Sequence, residues 1–213
     1  MSSAPQIGVI DYGGGNIRSL VKALETLDAA PKLVTSPEEL DDLSLVFFPG
    51  QGSFGDCMAK LQNLDLVDPL VEWIRNDRPF FGICIGYQLL FERSEENPGV
   101  EGLSIFSGQV TRFPESELKV PHMGWNCTQL RKPNVAPWQK LGPAPYFYYV
   151  HSYFPVPDDP ELAIANTEYG TSFASAIQRG RLVATQFHPE KSQKSGMRLI
   201  QNFLQEHEAP ARP

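Results

Sequence analysis

A cysteine between two glycines is the first pattern in this sequence that could perform chemistry. In Gly82-Ile83-Cys84-Ile85-Gly86, an apolar run precedes the cysteine and an amphipathic run follows it. This is the spacing of a nucleophile elbow, a sharp strand-to-helix turn from which the central side chain projects, with Cys where hydrolases carry Ser. At a helix N-terminus, partial positive charge favours a thiolate, and the Ile85 N–H can point at a developing oxyanion. The alternative is a small buried cysteine packed among apolar side chains.

A thiolate nucleophile needs a base, and the base needs a group that orients it. His188 follows the strand-like run RLVATQF, and Glu190 lies two residues further on, where it can accept an N–H from the imidazole. Active sites gather at strand ends along one edge of an α/β sheet. Taken alone, the segment is better interpreted as a strand-ending turn with a surface carboxylate. Together with the elbow, Cys84, His188 and Glu190 form a candidate catalytic triad.

The elements that would position these residues alternate between strands and helices in the first half of the chain. Such alternation predicts an α/β fold with a mostly parallel open sheet and helices on both faces. In the second half, strand-like runs separated by Gly and Pro predict antiparallel strands at the sheet edge or a small second sheet. The predicted strands are 6–10, 32–35, 44–48 and 79–84, the helices are 16–27, 66–76, 87–93 and 195–207, and the strand-like runs are 102–113, 125–132, 145–156, 162–169, 172–180 and 181–189.

Composition excludes several classes of function. The chain has 213 residues with 41% hydrophobic content, which predicts one domain spanning residues 1–213. A net charge of -7 without a basic cluster argues against binding to nucleic acid or to an anionic membrane. Three scattered cysteines do not form a disulfide scaffold, and the N-terminus does not resemble a signal peptide. We therefore expect a protein of the cytoplasm, with a frayed tail at residues 208–213.

Two glycine-rich stretches could be mistaken for nucleotide-binding loops. Residues 50–55 match G-x-G-x-x-G, but they follow the third predicted strand, and no strand ending in an acidic residue appears at the expected distance. Residues 11–16, DYGGGN, lack a lysine after the glycines, and a tight turn into a helix capped by Asn16 is the alternative. No histidines have ligand spacing, and Cys57 and Cys127 are interpreted as packing residues. We expect neither a metal nor a cofactor.

GICIGYQLL and FHPEKS together resemble class I glutamine amidotransferases of the triad type, and the resemblance covers roughly residues 6–204. Within that family, DYGGGNIRSL, PHMGWN and YYVHSY are similar to the glutaminase subunits of imidazole glycerol phosphate synthase. The resemblance implies that Cys84 attacks the side-chain amide of L-glutamine, that His188 and Glu190 assist, and that ammonia leaves.

The same resemblance implies roles for residues around the triad. PGQGSFG is similar to the oxyanion strand of the family, although Gln51 stands where a valine is usual. Its glycines permit a peptide flip, so we expect this loop to act as a switch. The alternative for Gln88 is a helix-surface amide. The implied oxyanion residues are Gly50, Gly52 and Ile85, and the implied glutamine-binding residues are Gln88, Ser152 and Tyr153.

Free ammonia becomes unreactive ammonium in water, so a glutaminase of this type needs a partner that accepts ammonia directly. The resemblance implies a (β/α)₈ barrel cyclase that forms a heterodimer with this chain in histidine biosynthesis. It places Asn16, Met123, Trp125 and Lys191 towards that partner, with a core position as the alternative for Trp125. One rival function is a glutaminase for an anthranilate or pyridoxal phosphate synthase, which PHMGWN and the DYGGGN start argue against. The other is a non-catalytic binding module, which the intact triad argues against.

Overall fold

A computed structural model describes residues 6–14 and 16–207, with an eight-stranded sheet at the centre. Short 3₁₀ helices lie at Pro37–Leu40, Pro160–Leu162 and Pro189–Lys191. The α-helices are α1 Ile17–Thr26, α2 Phe54–Asn63, α3 Val67–Arg75, α4 Ile85–Gln88 and α5 Gln193–His207. The strands are β1 Ile7–Ile10, β2 Lys32–Val34, β3 Leu45–Phe48, β4 Phe80–Ile83, β5 Phe91–Ser94, β6 Phe106–Arg112, β7 His122–Cys127, β8 Gln129–Leu130, β9 Tyr146–His151, β10 Tyr153–Pro157, β11 Ala163–Glu168, β12 Ser172–Arg179 and β13 Leu182–Thr185.

The central sheet has the order β2-β1-β3-β4-β13-β12-β11-β8. Strands β2 to β13 in this order pair in parallel, and β12, β11 and β8 extend the sheet with antiparallel pairs. The predicted mostly parallel α/β fold with antiparallel edge strands is therefore confirmed. Both proposed arrangements of the second half occur, because β10-β6-β5 and β7-β9 also form two smaller sheets.

Helices cover both faces of the sheet, as predicted. Side chains of a strand alternate between its two faces. Val46 and Phe48 of β3 belong to a buried cluster with residues of α2 and α3, whereas Leu45 and Phe47 belong to a second cluster with residues of α1 and α5. Because both faces are buried, the parallel strands are continuous apolar runs.

Two predictions about the elements were wrong. The run 181–189, grouped with the antiparallel strands, supplies β13, which does pair antiparallel with β12 but lies inside the sheet and pairs in parallel with β4 on its other side. The helix predicted at 87–93 is the single turn α4 followed by strand β5. The Leu90 carbonyl accepts hydrogen bonds from Ile105 N–H at 2.9 Å and Phe106 N–H at 3.0 Å, and β5 pairs with β6. These tertiary bonds override the local helical pattern.

The remaining predicted helices are confirmed to within two residues at each end. Asn16 precedes α1 without a side-chain capping bond, and its Oδ1 instead accepts a hydrogen bond from the Ser19 hydroxyl at 2.9 Å. None of the helices in the two described ranges is long and apolar enough to cross a membrane. The frayed tail expected at 208–213 and the start of the chain through residue 5 lie outside the described residues.

Candidate active site

The turn at Cys84 has the strained geometry of an elbow. Strand β4 ends at Ile83, α4 begins at Ile85, and Cys84 between them has φ 55 and ψ -105. Positive φ is uncommon for a non-glycine residue, and a ψ of -105 lies outside the left-handed helical region, so the backbone at Cys84 is strained. A Cβ atom on Gly82 would lie 2.7 Å from the Gly86 carbonyl oxygen, and one on Gly86 would overlap the Phe48 carbonyl oxygen. Both glycines are therefore needed for the turn, as the spacing predicted.

The sheet brings the two halves of the predicted triad to one edge. Strands β4 and β13 are parallel neighbours with Ile83 opposite Thr185, and Cys84 N–H donates to the Thr185 carbonyl at 2.8 Å. His188 follows β13 after two further residues. Since parallel strands end at the same edge, Cys84 and His188 line a common pocket. The parallel pairing of β13 with β4 is what brings Cys84 and His188 to the same edge of the sheet.

His188 and Glu190 form a buried pair. His188 Nδ1–H donates to Glu190 Oε1 at 2.8 Å, and both side chains are almost fully buried. This bond leaves Nε2 as the reactive ring nitrogen, and Nε2 has no hydrogen-bond partner among the described residues. Burial alone would lower the pKa of His188, but its interactions with Cys84 and Glu190 raise the pKa overall. The imidazole can therefore carry a second proton at this site.

The pocket at this edge has a volume of about 300 Å³. It unites the predicted nucleophile, base and glutamine-binding residues with two of the predicted oxyanion residues. Gly50 lies behind the pocket wall, where a Cβ atom would overlap the Ile85 side chain. The lining residues are Gln51, Gly52, Cys84, Ile85, Gln88, Glu96, Pro121, Val150, His151, Ser152, Tyr153 and His188.

Gln88 is buried, so the alternative of a helix-surface amide is wrong. Its Nε2 donates to the Tyr153 carbonyl at 3.0 Å and to Gln186 Oε1 at 3.2 Å. Gln186 Nε2 in turn donates to Cys84 Sγ at 3.7 Å. Sequence reasoning missed Gln186, although it stands two residues before His188 in a strand-ending segment. The two amides connect the nucleophile to the Tyr153 backbone.

Glu96 was also missed by sequence reasoning. It lines the pocket, and its Oε2 accepts a hydrogen bond from Phe54 N–H, the first amide of α2, at 2.8 Å. No motif surrounds Glu96 in the sequence, and only the folding of β5 beside α2 brings it to the pocket. It supplies a carboxylate to an otherwise amide- and hydroxyl-rich wall.

Two further histidines, His151 in the pocket lining and His122 next to it, form a directed chain of hydrogen bonds. The Tyr153 carbonyl can only accept, so His151 Nδ1 carries the proton of the 2.8 Å bond between them. His151 Nε2 then accepts from His122 Nδ1–H at 3.1 Å, and Asn126 Nδ2 donates to His122 Nε2 at 3.2 Å. Burial lowers the pKa of His122 to about 4 and that of His151 to about 3. Both rings are therefore neutral, in agreement with the chain of donors.

Two of the residues predicted to face a partner, Met123 and Trp125, lie on β7. Met123 and Trp125 are 62% and 47% exposed, so the core alternative for Trp125 is wrong. The Trp125 ring lies 6.2 Å from that of Tyr148, whose carbonyl accepts from His188 N–H at 2.9 Å. The exposed strand pair is thus bonded to the segment that carries the base. Asn16 and Lys191 are partly exposed.

The glycine-rich stretch at 50–55 leads into α2, with Ser53 accepting the capping bond from Asp56 N–H at 3.3 Å. Gly52, at φ +117, contributes to the pocket wall. Within residues 6–14 and 16–207, no group of three or more His, Cys, Asp or Glu side chains is arranged to hold a metal ion.

Comparison with known proteins places this geometry in a family. The family model described as glutamine amidotransferase class-I matches residues 8–207. The imidazole glycerol phosphate synthase subunit HisH of Synechococcus elongatus is 45% identical over 206 residues, covering 96% of this chain and 94% of the relative. The subunit of the same name from Thermosynechococcus vestitus is 48% identical over 206 residues, covering 95% and 97%. That from Nitrosococcus oceani is 48% identical over 203 residues, covering 93% and 96%.

Solved structures agree on the fold. PurLQS from Thermotoga maritima superposes with a TM-score of 0.73 at 19% identity, covering 96% of this chain and 99% of that one. The glutaminase domain of Trypanosoma brucei CTPS, solved with bound acivicin, gives 0.64 at 16% identity and covers 98% and 96%. The chain therefore belongs to the class I glutamine amidotransferase family, among the relatives named imidazole glycerol phosphate synthase subunit HisH.

Proposed function

We propose that this chain hydrolyses L-glutamine to L-glutamate and ammonia as the glutaminase subunit of an imidazole glycerol phosphate synthase. The observation that carries this proposal is the arrangement of three groups at one sheet edge. Cys84 stands on a strained elbow, and His188 lines the same pocket. Its Nε2 has no hydrogen-bond partner among the described residues, and its Nδ1–H donates to Glu190. A nucleophile, a proton carrier and an orienting carboxylate are the parts that acyl transfer needs.

In the proposed reaction, Cys84 Sγ attacks the amide carbon of glutamine. The carbonyl oxygen becomes an oxyanion, which the Ile85 N–H and an amide of the Gly50–Gly52 loop stabilise. Donors aimed at this charge contribute several kcal/mol in well-built sites, of the order of ~3 kcal/mol for one donor. His188 Nε2–H gives its proton to the amide nitrogen, the C–N bond breaks, and ammonia leaves the glutamyl thioester.

Hydrolysis then completes the cycle. His188 Nε2, now neutral, takes a proton from water as the water oxygen attacks the thioester carbon. The C–S bond breaks, glutamate leaves, and the thiolate and the protonated imidazole are restored together. Glu190 accepts the bond from His188 Nδ1–H and thereby fixes the tautomer of the ring, so that proton transfer is assigned to Nε2.

Recognition of the amino-acid end of glutamine is assigned to Glu96, Ser152 and Tyr153 in the pocket lining. Glu96 offers a carboxylate that complements the α-ammonium group of the substrate. Ser152 and Tyr153 offer a hydroxyl and backbone groups for the α-carboxylate. Gln88 fixes this part of the lining to the elbow through the Tyr153 carbonyl.

The proposed partner is a (β/α)₈ barrel cyclase subunit of the same synthase, in a heterodimer that passes ammonia between the subunits in the cytoplasm during histidine biosynthesis. The proposed partner surface consists of the exposed Met123 and Trp125 of β7 together with Asn16 and Lys191. Exposed Trp and Met side chains are enriched in protein interfaces. Strand β9 pairs with β7, and its Tyr148 carbonyl accepts from His188 N–H, which supports a partner surface connected to the segment that carries the base. One amidotransferase domain is proposed for the whole chain, with its core at residues 6–204.

The test is a steady-state measurement of glutamate and ammonia release by the free chain, by the chain with the cyclase subunit of a close relative, and by the complex with its nucleotide substrate. We expect glutamine-dependent hydrolysis that rises with each addition and stops in Cys84→Ala. Absence of hydrolysis in the ligand-bound complex would overturn the proposal. Activation by the synthase partner of an anthranilate or pyridoxal phosphate enzyme instead would redirect it to another pathway.

A further inference from the structure

The Tyr12 hydroxyl contacts the backbone of the Gly50–Gly52 loop, which contributes Gln51 and Gly52 to the pocket lining. Its side chain is only 3% exposed and packs edge-on against Phe48, with ring centroids 5.8 Å apart. The hydroxyl is 3.1 Å from Gln51 N and 3.2 Å from Gln51 O. It therefore contacts both backbone groups of the residue at the centre of the Gly50–Gly52 loop.

One hydroxyl can satisfy both contacts, because it donates one proton and accepts through its lone pairs. The Gln51 N–H donates to the Tyr12 oxygen, and the Tyr12 O–H donates to the Gln51 carbonyl. Burial, followed by the nearby Cys57 thiol, raises the pKa of Tyr12 well above its usual range, so the hydroxyl keeps the proton that it donates. The Gln51 amide is consequently committed to Tyr12.

The loop is confined from the other side as well. A Cβ atom on Gly50 would overlap the Ile85 side chain, and it would also lie 3.1 Å from the Tyr12 hydroxyl. Gly50 is thus pressed between Tyr12 and the residue whose N–H is assigned to the oxyanion. In this arrangement the Gln51 N–H cannot donate to the oxyanion of an intermediate bound to Cys84 unless its bond to Tyr12 breaks.

We propose that Tyr12 is a positioning residue that holds the Gln51 amide away from the oxyanion and thereby restrains glutamine hydrolysis in the free chain. The inference rests on the proposed glutaminase function. It assigns the restraint to a side chain outside the pocket and outside the triad.

The place of Tyr12 in the sequence suggests the route by which the restraint is released. Tyr12 stands four residues before Asn16, which is assigned to the partner surface. Next to Tyr12, Gly13 N–H donates to Asp11 Oδ1 at 2.9 Å. In the proposal, contacts of the partner at Asn16 compete with the bonds between Tyr12 and Gln51.

The experiment compares wild type, Tyr12→Phe and the control Tyr149→Phe, each as the full chain. Tyr12→Phe keeps the buried ring and removes only the hydroxyl. We expect kcat of the free chain to rise about five-fold, the equivalent of one ordinary hydrogen bond, with kcat of the ligand-bound cyclase complex unchanged. Tyr149→Phe removes a buried hydroxyl that bonds Thr128 and Thr167 at 2.6 and 2.8 Å, and it should leave free-chain turnover unchanged.

A second readout does not depend on activity. Amide hydrogen exchange at Gln51, followed by NMR, should be slow in wild type and in Tyr149→Phe and faster in Tyr12→Phe. Unchanged or lower free-chain turnover in Tyr12→Phe, or exchange at Gln51 equal to wild type, would overturn the inference. If no variant hydrolyses glutamine even in the complex, the proposed function fails, and the exchange rates still decide whether Tyr12 holds the loop.

Discussion

Adding one methyl group to the elbow provides a stringent test of its geometry. In Gly82→Ala, the new Cβ would lie 2.7 Å from the Gly86 carbonyl oxygen and 3.2 Å from Ala184 Cβ. The first distance falls about 0.7 Å short of the 3.4 Å at which ordinary van der Waals contact begins. The obstructing atom belongs to the backbone, so β4 and α4 must separate, and Cys84 lies between them.

The expected magnitude follows from this displacement. A misplacement of about 1 Å at a reacting group can cost ~100-fold in rate, so a shift of about 0.7 Å should lower kcat of glutamine hydrolysis by roughly 10- to 100-fold. Overpacking of this kind destabilises a protein by about 1–3 kcal/mol. Domains with about 5–15 kcal/mol of stability remain folded after such a loss, so the rate change can be measured.

The matched control is Gly8→Ala. It adds the same methyl group to another buried parallel strand, β1, but there the new Cβ meets the tip of the Leu43 side chain, which can move. Steady-state hydrolysis by the cyclase complex should fall strongly in Gly82→Ala and little in Gly8→Ala, with both unfolding cooperatively in urea. Wild-type turnover in Gly82→Ala would refute the steric account of the elbow.

Two further predictions separate the histidines. His188→Asn should lower turnover by about 10²- to 10⁴-fold, because the proton carrier is lost. His151→Asn should lower turnover less, because it acts only through the position of Tyr153. Equal and complete losses in both variants would mean that the base is misassigned. Burial lowers the pKa of His151 from 6.5 to about 3. Unfolded protein therefore takes up a proton as pH falls through 6.5 while folded protein does not, so stability is lost on acidification. Between about pH 7 and about pH 5 this histidine should account for ~2 kcal/mol of that loss. Urea titrations should show a correspondingly shallower pH dependence in His151→Asn, and an unchanged one would contradict the neutral buried ring.

The sequence predicted the triad because its signals are local. Gly82, Cys84 and Gly86 indicate a turn that only small flanking residues permit, and His188 and Glu190 lie two residues apart. Both patterns can be recognised in the sequence without knowledge of the fold. The prediction that the Cys84 segment meets the His188 segment needed one further assumption. Both segments had to follow strands that end at the same edge of the sheet.

The sequence did not reveal the contacts that depend on long-range packing. Tyr12 and Gln51 are separated by 39 residues, and Gln186 and Cys84 by 102, with no shared motif. The strand β5 was predicted as helix for the same reason, because its hydrogen-bond partners lie beyond the local window. The roles of the site residues, the partner surface and the one-domain organisation remain predictions for experiment.

Peptide-resolved mass spectrometry after treatment with acivicin, a glutamine-like electrophile, tests the central claim most directly. The chain has three cysteines, and burial raises the pKa of Cys57 to about 12, which keeps its thiol unreactive. We predict that the label falls on Cys84, that L-glutamine protects against it, and that Cys57 and Cys127 stay unmodified. Label found mainly on Cys57 or Cys127, or labelling of Cys84 that glutamine does not slow, would contradict the assignment of Cys84 as the glutamine nucleophile.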